Sequence, residues 1–251
     1  MRLAYEADGY DPFQSLNSPT SIFDRVYRIA RDFTLSWKKK LIERIIPHGS
    51  RILDGGCGTG EFLNHLKHDF QVEGFEPELK VAKWVQQEYQ ITIHTGNSTN
   101  IPKNTKKFDL ITMWHVLEHV PDPVEELNRL SGLLNSGGKF LIAVPNIASA
   151  DSMIYGSSWV ALDAPRHLWH FSKPQMIEIA EQTGLTLRKM GMLPLDAFYN
   201  SLLSEKIHIT NNAKIQILLA PFRLIIAVLA SLLFGLLTGN HSSNYYVLEK
   251  K

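Results

Sequence analysis

From residue 21 to residue 46, Ile22, Val26, Ile29, Phe33, Trp37, Leu41 and Ile45 recur at steps of three or four, the spacing that lines one face of a helix with apolar side chains. Pro47-His48-Gly49-Ser50 ends the pattern. Beyond it the period changes: from Arg51 to Asn146, apolar runs of strand length alternate with helical stretches such as Leu79 to Tyr89 and Val124 to Leu134. That alternation predicts a parallel sheet covered on both faces. Leu185 to Leu195 reads as a sixth strand and Asn244 to Lys250 as the last, the two expected to form an antiparallel hairpin around a long insertion. Residues 1 to 20 mix Asp, Gly, Pro, Asn and Ser with scattered aromatics and read as an irregular arm, disordered or a lid.

Chemistry concentrates at Ile52-Leu53-Asp54-Gly55-Gly56-Cys57-Gly58-Thr59-Gly60, where a short apolar strand enters an acidic, glycine-dense turn and then a helix through Phe62, Leu63 and Leu66. Glycines there let a ligand meet the main chain, and the helix N-terminus aims free N–H groups at the same place. The spacing departs from G-x-G-x-x-G, Glu61 would set a carboxylate beside a diphosphate, and the Gly-Lys-Ser/Thr of a phosphate loop is missing. An acidic turn suits a cationic or amine-bearing ligand better. Glu76, about 20 residues on, sits at the distance where a carboxylate meets a ribose in such folds.

Leu53 to Gly60 resembles the first motif of the class I S-adenosylmethionine-dependent methyltransferases. Val72-Glu73-Gly74-Phe75-Glu76-Pro77 is similar to that family's second strand with its terminal acid, and Gly96-Asn97-Ser98 to its adenine-side loop. Phe108 to His115 resembles the fourth strand and Gly137 to Asn146 the fifth. The resemblance implies a Rossmann-like α/β fold: a mainly parallel seven-stranded sheet with its last strand antiparallel, an N-terminal helical cap, and here an apolar helical insertion before the last strand. It implies S-adenosyl-L-methionine as cofactor, bound by Asp54, Gly55, Gly56, Gly58, Glu76, Pro77, Asn97, Ser98 and Trp114. For Asp54 both a contact near the methionine amine and a structural hydrogen bond to the turn stay open. Asn97 stands where many relatives carry Asp.

Two histidines are candidates for catalysis. His115 follows the fourth strand, where a base near neutral pKa could deprotonate a hydroxyl acceptor; the alternative is a histidine bonding backbone beneath the cofactor. His167 lies in Asp163-Ala164-Pro165-Arg166-His167-Leu168-Trp169-His170-Phe171-Ser172, which resembles the Pro-x-His-Leu-x-x-Phe-Ser segment of methyltransferases similar to those of ubiquinone and surface-polysaccharide pathways. It is a base, an acceptor contact, or with Arg166 a clasp on the preceding loop, while His170 reads as help for the cap of the helix near Pro174. Tyr155 and Trp159 either line the acceptor pocket or pack. His115-x-x-Glu118-His119 also matches the inverted zinc-protease pattern, but Pro121 and Pro123 interrupt the helix it needs. Metal binding by Glu118 and His119 in support of methyl transfer ranks above hydrolysis, and no residue is assigned to a metal.

Composition narrows the partners. Lys+Arg 26 against Asp+Glu 25 in 251 residues gives a formal charge of +1, which argues against nucleic acid. The single cysteine excludes an internal disulfide, and the polar start lacks the apolar core of a signal peptide; the cytoplasm is the default, with membrane association left open. Leu224 to Leu237 is apolar apart from Ser231 and Gly235 and falls short of the roughly 20 residues of a spanning helix, with Pro221 and Arg223 marking its start. A buried cap or homodimerisation helix ranks first, peripheral membrane contact second, a span last. The expected division is 1–50 arm and cap helix, 51–195 cofactor-binding core, 196–242 apolar insertion and 243–251 last strand. The expected activity is methyl transfer to a small-molecule or lipid-linked acceptor, at oxygen. A binding protein without turnover and a zinc hydrolase using His115, Glu118 and His119 are the alternatives.

Overall fold

The computed structural model describes residues 22–102, 104–210 and 215–250; the arm expected at residues 1 to 20 lies outside them. The helices are α1 (Ile22–Glu43), α2 (Glu61–Leu66), α3 (Leu79–Tyr89), α4 (Pro123–Ser131), α5 (Ala150–Tyr155), α6 (Lys173–Gln182), α7 (Asp196–Thr210) and α8 (Ile215–Thr238). The strands are β1 (Arg51–Gly55), β2 (Gln71–Glu76), β3 (Thr92–Thr95), β4 (Phe108–Trp114), β5 (Leu134–Pro145), β6 (Leu185–Met192) and β7 (Ser243–Lys250). They form one seven-stranded sheet in the order β3-β2-β1-β4-β5-β7-β6. β1 pairs in parallel with β2 and β4, and β2 with β3; the sheet is mostly parallel, with antiparallel last strands. The Rossmann-like expectation therefore holds. Because chain order reverses beside β1, the crevice at the ends of β1 and β4 is where an open sheet of this kind takes its ligand.

The chain divides into two compact units. The first holds the described residues up to Met113, with Glu125–Phe140 and Lys250. Its β1 and β4 are near-continuously buried, as strands covered on both faces must be. Leu63 of α2, Val81, Ala82 and Val85 of α3, and Ile91 and Ile93 beside β3 form one cluster over the sheet. Gly60, at φ 68°, opens α2; a Cβ there would lie 2.4 Å from Val85 Cγ1. Only glycine accommodates both the left-handed backbone and that approach.

The second unit holds Trp114–Val124 and Leu141–Glu249. A fully buried carboxylate organises it: Asp151 of α5 accepts from Trp159 Nε1 at 2.9 Å, Ser231 Oγ of α8 at 2.8 Å and Ser242 Oγ at 2.7 Å. Buried Glu205 of α7 pairs with Arg223 of α8, 2.8 Å from its Nε, and accepts from the Tyr155 hydroxyl at 3.1 Å. Tyr155 and Trp159 are thereby packing residues, clustered with Ala161 and Ala227, and not the lining of an open acceptor pocket.

The insertion departs from expectation. The apolar segment does not start after Arg223 but is one helix through Pro221, and Ile217–Thr238 is long and apolar enough to cross a membrane. Pro221 removes a single intrahelical hydrogen bond without ending the helix. Nor is it a buried cap: only 17% of its apolar window is buried.

Candidate functional site

The glycine turn is tied to the end of β2. Gly56 N–H and Cys57 N–H both donate to the Phe75 carbonyl, at 2.9 and 3.1 Å. Gly58 N–H donates to one carboxylate oxygen of Glu76 at 2.9 Å, and Glu78 N–H to the other at 3.0 Å, closing a tight bend around exposed Pro77. Gly56 and Gly58 have φ 64° and 52°, and no atom lies within 4 Å of where a Gly58 Cβ would stand. Glu76 thus holds the turn open-faced, and burial pushes its pKa up. Glu61, feared as an anion beside the ligand, is paired with Arg31 of α1.

Asp54 lies at the C-terminal end of β1, 3% exposed. Its partner is Thr112 on β4, in direct register with it, whose hydroxyl donates to Asp54 Oδ1 at 2.5 Å. Burial raises the Asp54 pKa to about 7, against the Thr112 hydrogen bond and the Lys38 charge, which pull it down, and with Glu76 adding to the rise. Two acids under electrostatic strain at one glycine turn form a site that a cation relaxes, which fits a ligand carrying a sulfonium and an ammonium group. Thr112 was missed in the sequence, although a lone hydroxyl inside Phe108-Asp109-Leu110-Ile111-Thr112-Met113 was the available signal.

The loop expected at the adenine side, Gly96–Ser98, is held by its own side-chain hydrogen bonds. Asn97 caps a short 3-10 turn, Ser98–Asn100, its Oδ1 accepting from Thr99 N–H at 3.0 Å. Ser98 is buried and donates to Glu126 of α4 at 2.7 Å. Burial raises the pKa of Glu126, a further acid that sequence reasoning did not single out. Trp114 ends β4, half-buried, as the first residue of the second unit.

His115 follows with φ 55°, a conformation costly for any residue with a Cβ. Its N–H donates to Ala143 O at 2.9 Å, which fixes it against β5. The ring lies between two carboxylates: Nε2 is 3.2 Å from Asp196 of α7 and Nδ1 is 3.4 Å from Glu118. Burial alone would lower the pKa, but Asp196 and Glu118 outweigh it and raise it to about 10. The ring is 39% exposed, so solvent screening tempers the pairing. Two acids at the ring favour the imidazolium over the neutral base that the sequence suggested. Asp196 lies far along the chain and gave no sequence signal.

A second group of atoms does have the right form. His119 Nδ1–H donates to Arg166 O at 2.9 Å and His167 Nδ1–H to Ala161 O at 2.7 Å, so in both rings Nε2 carries the lone pair. The rings meet edge to face at 4.7 Å between centroids. With Glu118, only 1% exposed, one ligand atom from each of the three lies within 4.8 Å of the others. Backbone-anchored Nδ1–H groups are the outer support of metal-binding imidazoles, and burial lowers the His167 pKa. The trio can hold a divalent cation or accept a proton. Leu117–His119 is a 3-10 turn rather than the long helix that the inverted zinc-protease pattern needs, and the His115 ring is shared between Glu118 and Asp196. Arg166 clasps Asp163 as expected. His170 bonds the Leu162 carbonyl at 3.0 Å, while Ser172 and Gln175 form the cap of α6.

Comparison with known proteins bears on this geometry. Residues 23–189 match the family model described as a methyltransferase domain. A ubiquinone biosynthesis O-methyltransferase of Xanthomonas axonopodis is 30% identical over 167 residues, 60% of this chain and 69% of that protein. The namesake from Coxiella burnetii is 33% identical over 114 residues, 43% of this chain, which spans about half (49%) of that relative's length. Among solved structures, magnesium protoporphyrin IX methyltransferase from Synechocystis with bound S-adenosylhomocysteine superposes with TM-score 0.62 at 13% identity, covering 100% of this chain and 98% of that one. The cyclopropane synthase of Mycobacterium tuberculosis superposes with TM-score 0.58 at 15% identity, over 95% and 88% of the two chains. With the glycine turn, the paired acids and the sheet order all in place, the chain belongs to the class I methyltransferases, enzymes that draw their methyl group from S-adenosylmethionine.

Proposed function

We propose that this enzyme methylates a hydroxyl group on a small-molecule or lipid-linked acceptor, with the cofactor's amino-acid end at Asp54 and its ribose at Glu76. What carries the oxygen assignment is the convergence of Glu118, His119 and His167 within 4.8 Å. An amine or thiolate acceptor needs little help, because the sulfonium is already a strong electrophile and alignment supplies much of the rate. A neutral hydroxyl must lose its proton, and His167, whose Nδ1–H is held by the Ala161 carbonyl, is the base of this reading, accepting at Nε2. His115 then acts as a fixed positive charge. The printed names of the O-methyltransferase relatives support the same choice.

Incubation with methyl-labelled S-adenosylmethionine and matched hydroxyl, amine and thiol acceptors tests the reading. Label in the ether product alone is expected, and His167→Gln should lower kcat at least a hundredfold while cofactor affinity stays unchanged. Label confined to amines would overturn it. The same trio, Glu118, His119 and His167, would also hold a divalent cation, which would supply Lewis-acid activation of the hydroxyl when bound. Loss of turnover with a chelator, restored by a divalent salt, identifies that role.

A further inference from the structure

Helix α8 is amphipathic in the wrong sense for a water-soluble surface. Arg223, Ala227, Ser231 and Gly235 recur every fourth residue and face the second unit. Arg223 pairs with Glu205, Ser231 donates to Asp151 at 2.8 Å, Ala227 is fully buried, and a Cβ on Gly235 would strike His241. The opposite stripe is Leu218, Phe222, Ile226, Leu229, Leu233 and Leu237, all between 54% and 86% exposed. The polar and small face is thus docked on protein and the large apolar face is turned out, the reverse of an ordinary surface helix.

We infer that the outward stripe of α8 is a membrane-docking surface that lies in the plane of a lipid bilayer. Three observations select lipid as the occupant. From Ile217 to Thr238 the helix has no Asp, Glu or Lys, and its one arginine is turned inward to Glu205. Its length, about 33 Å at 1.5 Å per residue, is uniformly aliphatic or aromatic along the outer stripe. An interface with another protein would carry a polar rim and about one hydrogen bond per 100–200 Å², and these side chains offer no donor or acceptor. A spanning orientation is disfavoured by the inner stripe, since pulling α8 away would strand Glu205 and Asp151 buried without their partners. The docked helix remains joined to the histidine trio: Ala161 packs in the cluster with Ala227, and its carbonyl holds His167. An acceptor carried in the bilayer would suit this arrangement, although docking itself does not depend on the acceptor.

Flotation of the full chain with phosphatidylcholine–phosphatidylglycerol vesicles tests the inference, alongside Leu229→Lys/Leu233→Lys. Both positions are exposed, so folding and S-adenosylhomocysteine affinity should match wild type. The wild type should float and the double variant should lose at least tenfold in vesicle affinity. Spin labels at Leu218→Cys, Leu229→Cys and Leu237→Cys report depth cleanly because the native Cys57 is buried. Equal shallow depths are expected. Absence of vesicle binding together with a dimer that the double variant dissociates would overturn lipid as the occupant, and a label at residue 229 at the bilayer centre would overturn the in-plane orientation.

Discussion

The cofactor site should report its own protonation state. Asp54 has its pKa raised from 3.8 to about 7, foremost by burial. Binding a ligand whose ammonium lies at this carboxylate requires the ionised form and pulls its pKa back down. Without ligand, Asp54 is about one part in eleven ionised at pH 6 and ten parts in eleven at pH 8. The apparent dissociation constant for S-adenosylhomocysteine should therefore fall about tenfold between those pH values, with a proton released on binding at pH 6. The ligand's own amine titrates as well, so the contribution of Asp54 is the difference between wild type and Asp54→Asn. Calorimetry in two buffers of different ionisation enthalpy gives both affinity and proton count. The same group fixes a stability effect of opposite sense. A folded pKa above the unfolded one means that Asp54 contributes stability below about pH 3.8, lost as pH rises through 7. A shift of about three pKa units corresponds to about 4 kcal/mol, so ligand-free Asp54→Asn should outlast wild type in urea at pH 8, lose more than half of that advantage by pH 5 and the rest only below about pH 3.8. A wild-type affinity as flat with pH as that of Asp54→Asn would refute the reasoning.

Other substitutions probe the same structure. Thr112→Val removes the hydroxyl that donates to Asp54 at 2.5 Å; it should raise the Asp54 pKa further and move the affinity–pH curve to higher pH, read by the same calorimetry. Gly60→Ala brings a Cβ to 2.4 Å from Val85 Cγ1 at φ 68°, and should cost about 2–4 kcal/mol in urea unfolding, with Val85→Ala rescuing only the contact. Asp151→Ala strands three buried donors and should cost at least about 3 kcal/mol; thermal unfolding near that of wild type would show that the spine is not holding α8.

Much of the fold was legible because parallel strands and amphipathic helices leave strong periods. The bounds of α3, the start of β6 and the end of β7 follow directly from where apolar residues stop, whereas β3 was not singled out and the helix expected to reach Leu134 ends at Ser131, with β5 starting at Leu134. The backbone of the glycine turn was equally readable, since its geometry is local: Gly56, Gly58 and Gly60 at left-handed φ follow directly on the end of β1. Pairings across the sheet were not. Thr112 meets Asp54 through register, Ser98 meets Glu126 of α4, and His115 meets Asp196, the first residue of α7, across a long stretch of sequence. For that reason the two carboxylates that flank His115 were not foreseen. Helix α8 misled for a different reason: Pro221 and Arg223 are helix-breaking and charged in isolation, but one costs a single hydrogen bond and the other is neutralised by Glu205.

The most direct measurement is calorimetric titration of wild type and Glu76→Ala with S-adenosylhomocysteine at pH 8. Glu76 holds Gly58 and Glu78 and is assigned the ribose hydroxyls, hydrogen bonds to a charged group worth about 1.5–3 kcal/mol. One-to-one binding by wild type, weakened roughly tenfold to a hundredfold in Glu76→Ala, is the expected result. Equal affinity of the two proteins would contradict the placement of the cofactor on the glycine turn after β1 and the acid that ends β2.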